Sequence, residues 1–334
     1  MARKLPMYKA ISEAIAQEME KDNSVFVMGE DIGTYGGIFG ATTGLLQKFG
    51  PERIKDTPIS ESAFIGGALG AASKGMRPIA ELMFVDFFGV AMDQIYNHIA
   101  KAHYMSNGHI KMPIVIMTAI GGGYGDAAQH SQCLYGLFAH VPGLKIVIPS
   151  NSYDAKGLMT AAIRDNNPVM YFFHKAVMGL GWITPLEDAI KEVPEEPYTV
   201  PIGKAKVVRE GSDVTITTVA KMVYEALWAA KELEKEGISA EVIDLRSLVP
   251  LDKETILNSV KKTGRLLVVD EDYKSYGMSG EVITTVSENT GNSLKTLSKR
   301  LTYPDIPIPY SRALEKFALP DKEKIIKNVK EMLR

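Results

Sequence analysis

The sequence predicts an α/β protein of two domains, each built on a largely parallel sheet. Three observations predict it. Short apolar runs of strand length alternate with segments of helical period. The alternation stops at a stretch from Trp182 to Gly203 that carries Pro185, Pro194, Pro197 and Pro201. It then restarts on a smaller scale. A length of 334 residues suits two domains. The expected division is residues 1–185, a linker over 186–203, and residues 204–334.

In the first domain, Ala10, Ile11, Ala14, Ile15 and Met19 fall at helical spacing. Ser24 to Met28 reads as a buried strand ending at Gly29-Glu30-Asp31, and Gly33 through Gly44 as a glycine-rich loop. Ser62 to Lys74 is a Gly/Ala-rich helix whose Gly66 and Gly70 sit one turn apart, a spacing that lets another backbone approach. Pro78 to Met83 is a strand and Ala91 to Tyr104 a helix. Strands follow at Met112–Ala119, Leu144–Ile148 and Val169–Phe173, with a helix over Tyr153–Arg164. Past the linker, strands at Val214–Val219, Ala240–Ile243 and Arg265–Val269 alternate with helices at Val223–Lys235, Lys253–Lys262 and Gly280–Glu288.

Charge gives no sign of a polyanionic partner. Lys and Arg total 38 against 40 Asp and Glu, so no net field favours nucleic acid or an anionic membrane. No apolar run approaches the length of a membrane span, and the first residues form an amphipathic, acid-containing helix rather than a signal-peptide core. The one cysteine, Cys133, allows no internal disulfide; a cytoplasmic location is expected.

Four features carry candidate chemistry. Gly121-Gly122-Gly123-Tyr124-Gly125 follows a strand, and its amides could hold an anion. Neither GxGxxG nor GxxxxGK[ST] is met, however, so a structural or cofactor-adjacent loop is favoured. Glu61 precedes a helix, where a carboxylate serves as a cap or as a buried acid sharing a proton with a cofactor nitrogen. His130, in Ala128-Gln129-His130-Ser131-Gln132, lies beyond the end of a strand, where α/β proteins place their sites. The alternative is a histidine that only satisfies a hydrogen bond. Asp165-Asn166-Asn167-Pro168 reads as a helix-ending turn with oxygens suited to a hard cation.

Together these segments resemble the β subunit of thiamine-diphosphate-dependent 2-oxo acid dehydrogenases, the decarboxylating first component of the pyruvate, branched-chain and acetoin dehydrogenase complexes. The resemblance spans Tyr8 to Met332. It is carried by Gly29-Glu30-Asp31, Asp56-Thr57-Pro58-Ile59-Ser60-Glu61, Gly75-Met76-Arg77-Pro78-Ile79, Asp93-Gln94-Ile95, Ala128-Gln129-His130-Ser131-Gln132, His140-Val141-Pro142-Gly143-Leu144-Lys145 and Asp154-Ala155-Lys156-Gly157-Leu158.

The resemblance implies an N-terminal domain that binds the cofactor's aminopyrimidine and a C-terminal domain like that of transketolases. It assigns Glu61 to the pyrimidine ring nitrogen, Phe87 to stacking on that ring, Ile59 and Met83 to the pocket wall, and His130 to the reacting carbon. Ile114, Ala162, Ile163, Asp165 and Asn167 match positions that bind a structural potassium ion. The role given to Glu61 requires a proton on the carboxyl at working pH, and so a pKa raised by burial.

The motif Gly-Asp-Gly, which in such enzymes helps Mg2+ hold the diphosphate, is missing; Gly125-Asp126-Ala127 does not match. The resemblance therefore implies half a cofactor site, completed with Mg2+ by an α subunit in an α2β2 assembly, with Gly66 and Gly70 at a subunit contact. It further implies a lipoyl-bearing dihydrolipoyl acyltransferase as acceptor and a 2-oxo acid or acetoin as substrate. Tyr135-Gly136-Leu137-Phe138 and Pro149-Ser150-Asn151 lean towards pyruvate or acetoin. Val90 departs from relatives that carry a glutamate in a proton path between active sites. A branched-chain enzyme, a transketolase-like half-enzyme and a non-catalytic scaffold are the alternatives.

Overall fold

The computed structural model describes residues 3–181 and 186–334. It divides the chain into two units. One comprises Met1–Ile120 and Phe138–Ile202; the other comprises Gly121–Leu137 and Gly203–Arg334. The segment that follows the fifth strand is thus grouped with the C-terminal half, which a single cut at the linker does not anticipate. The expected boundary at Pro185 lies outside the described residues.

The first unit runs β1 (Arg3–Leu5), α1 (Met7–Lys21), β2 (Val25–Gly29), α2 (Leu45–Phe49), β3 (Ile54–Asp56), α3 (Glu61–Ser73) and β4 (Arg77–Phe84). A 3-10 turn at Val85–Ala91 and a π-helical turn at Gln94–Ile99 precede α4 (Ala102–Met105) and β5 (Val115–Ile120). Next come α5 (Tyr135–Ala139), which crosses the division, then β6 (Lys145–Val147), α6 (Ser152–Arg164), β7 (Val169–His174) and β8 (Lys191–Val193). The parallel sheet of this unit has the order β6-β7-β5-β4-β2-β3. β5 and β7 are buried along their whole length, as apolar strands covered on both faces should be.

The spacing that predicts α1 also decides what it buries. Met7, Ala10, Ile11, Ala14, Ile15 and Met19 are all fully buried. α1 packs along α6. Between them, Lys156 is completely buried and gives its ammonium to Glu13 Oε1 at 2.6 Å and to the carbonyls of Pro194 and Glu195 at 2.7 and 2.9 Å. Arg164 pairs with Glu18 through two bonds of 2.8 and 2.6 Å. A buried ammonium needs such partners, because desolvating it alone is costly.

Two expectations are corrected. The helix expected over Ala91–Tyr104 is instead broken into the π-helical turn and α4. Ala100 N reaches back five residues to Ile95 O at 3.1 Å, and the Ala100 carbonyl lies against Gly143, where a Cβ would come within 1.9 Å of it. The expected linker also holds more structure than its prolines suggest. β8 pairs antiparallel with β1, and Lys156 and Gln17 both bond the carbonyl of Glu195.

The second unit runs β9 (Lys206–Arg209), β10 (Val214–Thr218), α7 (Met222–Glu234), β11 (Ala240–Asp244), β12 (Ser247–Val249), α8 (Lys253–Thr263) and β13 (Leu266–Tyr273). It ends with α9 (Met278–Thr290), β14 (Lys299–Tyr303), α10 (Arg312–Ala318) and α11 (Lys322–Leu333). Its sheet has the order β14-β13-β10-β11-β9 and is parallel except for β9. Ile216, Val242, Leu267 and Val269 form the core with Ala226, Ala230 and Leu233 of α7 and Ile325 and Val329 of α11. Among the described residues, no helix is long and apolar enough to cross a membrane.

Candidate active site

In the first unit the candidate residues converge because parallel strands end on one edge. Gly29 is in register with Asp56 of β3 and with Glu81 of β4, so the segments after β2, β3 and β4 leave the sheet side by side. Ligand sites of α/β sheets form at such carboxyl ends. Glu30 follows β2. Thr57 to Ser60 lead from β3 into α3, whose first residue is Glu61. Met83 ends β4, and Phe87 lies on the 3-10 turn beyond it.

Glu61 is only 8% exposed, at the N-terminus of α3, where the helix dipole favours a carboxylate. Glu30 is as deeply buried. Burial, reinforced by the nearby Glu61 charge, pushes the Glu30 carboxyl up, against the Ser60 N–H that it accepts. Its Oε1 is buried with no hydrogen-bond partner. Phe87 and Met83 are half-buried, and Phe87 meets Phe84 edge-on at 5.6 Å. Ile59, by contrast, is 84% exposed. The structure therefore gathers Ile59, Glu61, Met83 and Phe87 on one edge, with the isoleucine open to solvent.

Sequence reasoning passed over Glu81. It is a lone acid in an otherwise apolar strand, and that is the signal that could have found it. It is completely buried, and burial pushes its carboxyl up to about 8. Its Oε2 has no hydrogen-bond partner. The glycine-rich loop makes room for it. A Cβ on Gly37, which has φ +78°, would sit 3.3 Å from both carboxyl oxygens, and one on Gly29 would sit 2.8 Å from the Glu81 carbonyl. Asp56 fixes the start of the same loop by accepting from Gly33 N at 2.6 Å.

His130 lies in the other unit, half-buried on the segment Gly121–Leu137. Carboxylates tie that segment down. Gly122 N donates to Glu271 Oε1 at 2.7 Å, and Gly123 N and Gly125 N donate to Glu315 at 2.6 and 2.9 Å. Gly136 N donates to Asp272 at 3.3 Å, and Tyr135 donates its hydroxyl to Asp270. Burial first, then the Asp272 charge, pushes Asp270 up to about 7. The amides that could have held an external anion are thus occupied by internal carboxylates. Of the readings open for the glycine loop, the structural one holds.

The residues of the expected cation site meet in the first unit. Asp165 and Asn167 form the turn after α6; Asp165 Oδ1 accepts from Asn167 N and Nδ2 at 2.9 and 3.0 Å, and Oδ2 pairs with Lys145. Burial raises the Asp165 carboxyl, but the Lys145 and Asn167 bonds outweigh it and hold it low. Arg77 donates to the carbonyls of Ile163 and Asp165 at 2.9 and 3.0 Å. The Ile114 and Ala162 carbonyls each accept one backbone N–H. His174 and Lys175, which the sequence suggested might face a partner or substrate, are both buried.

Glu81 gives a testable pH effect. Its folded pKa lies above the ordinary 4.5, so its contribution is complete below that value and is lost as pH rises through about 8. A Glu81→Gln variant should therefore gain stability relative to the parent, by a few kcal/mol at most, between about pH 5 and about pH 8. Urea unfolding of both proteins across that range measures it; parallel curves would show that Glu81 is not held neutral.

Comparison with known proteins agrees with the architecture. Residues 3–179 match the transketolase pyrimidine binding domain, and residues 203–325 match the transketolase C-terminal domain. The acetoin:2,6-dichlorophenolindophenol oxidoreductase β subunit of Cupriavidus necator is 48% identical, over 97% of this chain and 96% of its own. The 2-oxoisovalerate dehydrogenase β subunit of Bacillus subtilis is also 48% identical, over 97% of each. The mitochondrial pyruvate dehydrogenase E1 subunit β-2 of Oryza sativa is 45% identical, over 98% of this chain and 86% of its own. A solved structure titled split gene transketolase, inactive beta4 tetramer, shares the fold with a TM-score of 0.78 at 24% identity, covering 99% of both chains. With a family match over half its length and relatives this similar from end to end, the chain belongs to the transketolase-like β subunits of the acetoin and 2-oxo acid dehydrogenases.

Proposed function

We propose that this chain is the β half of a thiamine-diphosphate-dependent dehydrogenase acting on acetoin or pyruvate, with the lipoyl group of a partner acyltransferase as acceptor. The observation that carries the reading is Glu61. It is a buried carboxyl on the first turn of α3, beside a second buried acid whose Oε1 lacks a partner, at the carboxyl edge of a parallel sheet. These residues fit an aminopyrimidine. A ring nitrogen needs one acid to share a proton with it, and Phe87 and Met83 supply an aromatic and an apolar wall.

When bound, thiamine diphosphate supplies a carbon acid that adds to the substrate carbonyl and accepts the electrons of the cleaved carbon–carbon bond. This chain's residues supply the rest. Glu61 holds a proton against the pyrimidine nitrogen, Phe87 fixes the ring plane, and Ile59 and Met83 exclude water. His130 holds a proton for the acyl-transfer step. No Gly-Asp-Gly is present to hold the diphosphate, so an α subunit completes the site with Mg2+ in an α2β2 assembly. Gly67 and Gly70 lie exposed on α3 with Gly66 half-buried, and this face suits a subunit contact. A monovalent ion would sit on the backbone oxygens of Ile114, Ala162 and Ile163 beside Asp165 and Asn167. The N–H groups already bonded there leave each carbonyl a second lone pair.

Three outcomes are expected. Glu61→Gln, reconstituted with its α partner, loses at least about a hundredfold in lipoamide-dependent turnover of acetoin or pyruvate, the scale of a lost acid–base group. Near-normal turnover rejects the role, and ketol transfer without lipoamide would favour a transketolase-like enzyme. Calorimetry on this chain alone shows no tight thiamine diphosphate binding; a micromolar site would end the half-site reading. Potassium chloride raises the thermal midpoint above that in lithium chloride at equal ionic strength, and identical midpoints would remove the cation site.

A further inference from the structure

The sheet of the second unit reverses its winding at β10. The chain passes from β10 to β11 on one side and then to β13 on the other. The carboxyl ends of β10 and β13 therefore flank a switch point, where doubly wound sheets bind ligands. A cavity of about 330 Å³ in this unit is lined by Lys221, just past β10, by Arg312 and Lys316 of α10, and by Gly123. Ala220, the residue before Lys221, is held at φ +52°, a left-handed conformation that costs a non-glycine residue about 1 kcal/mol.

The cavity's acids are already engaged. Glu315, 1% exposed, accepts from Gly123 N and Gly125 N. Asp321 accepts from Lys324 N at 2.8 Å, with the Lys324 ammonium 3.4 Å away. Glu225 accepts from Lys322 N at 3.0 Å. The cations are not engaged. Among the described residues, Lys221, Arg312 and Lys316 make no ion pair. Arg312 lies along Gly125, where a Cβ would fall 3.4 Å from its Nε, and the Lys221 ammonium would be 3.8 Å from a Cβ on Gly123. Two ammonium groups and a guanidinium thus border a switch-point cavity whose carboxylates are already bonded to backbone N–H groups.

We propose that this cavity binds a small phosphate-bearing anion through Lys221, Arg312 and Lys316. Three unneutralised cations suit a dianion, and a guanidinium suits the paired oxygens of a phosphate. Gly123 in the wall belongs to the segment that carries His130, so the site adjoins a functional loop without being part of the acid-bearing edge of the other unit. The inference stands on this unit's own residues and does not require the proposed reaction.

The test is calorimetric titration of the full chain, at low ionic strength, with inorganic phosphate, pyrophosphate and citrate. Saturable binding of phosphate or pyrophosphate is expected, weakened at least about tenfold by Lys221→Met and again by Arg312→Gln. Both side chains are outside the core, and an unchanged thermal midpoint without ligand shows that the variants fold. No saturable binding up to ~10 mM, or equal binding by the variants, overturns the proposal. Citrate binding as tightly as pyrophosphate overturns its assignment to phosphate.

Discussion

A carboxyl group removed from water must be given N–H donors or keep its proton, and much of this structure follows from that constraint. The sheet edges carry several such acids. Glu271, Asp272 and Glu315 are given backbone amides, and so remain carboxylates that act as clamps. Glu81 and Asp270 are not adequately supplied, and burial pushes them to about 8 and about 7. Glu30 is intermediate. It accepts one N–H from Ser60 and leaves an oxygen without a partner. The acids of one chain thus sort into anchors and proton holders by the number of amides that the backbone aims at them.

The anchors account for the loop that carries His130. A run of glycines ordinarily has too much conformational freedom to hold a side chain in place. Here three of its amides are fixed by Glu271 and Glu315, and its far end by Asp272 and Asp270. Burial and the mutual repulsion of Asp270 and Asp272 work against this second anchor, while the Tyr135 hydroxyl works for it. The imidazole is therefore presented from a pinned segment, although nearly every residue before it is small.

How much of this was legible in the sequence depended on the range of the interaction. α1 was legible because its apolar period directly records which face is buried. β5 and β7 were legible because strands covered on both faces must be apolar throughout. Glu61 and its neighbours could be placed because they follow strands in a parallel sheet, and the family's order of motifs supplied their roles. The use of the glycine amides was not legible, because Glu271 and Glu315 lie 149 and 192 residues away along the chain. The pairing of β1 with β8 was hidden for another reason: each has three residues, too few to show a period. The π-helical turn at Gln94–Ile99 was hidden because it depends on a contact between Ala100 and Gly143 rather than on local preference.

The acid-bearing edge of the first unit is built to be covered. Glu61 is 8% exposed, yet Ile59, two residues earlier, is 84% exposed, and Val90, beyond Phe87, is 60% exposed. Single exposed aliphatic residues are unremarkable. Two that flank a buried carboxyl and an unpartnered Glu30 oxygen are different, because water that reaches the isoleucine also reaches the edge of a site whose chemistry requires its exclusion. Covering that edge would bury the apolar side chains and strengthen every polar contact beneath them. On the proposed reading, the α subunit does both at once, and Val90 makes the contact apolar where relatives place an acid. Proton transfer at this edge then rests on Glu61 and Glu30, the two carboxyls that this chain keeps there.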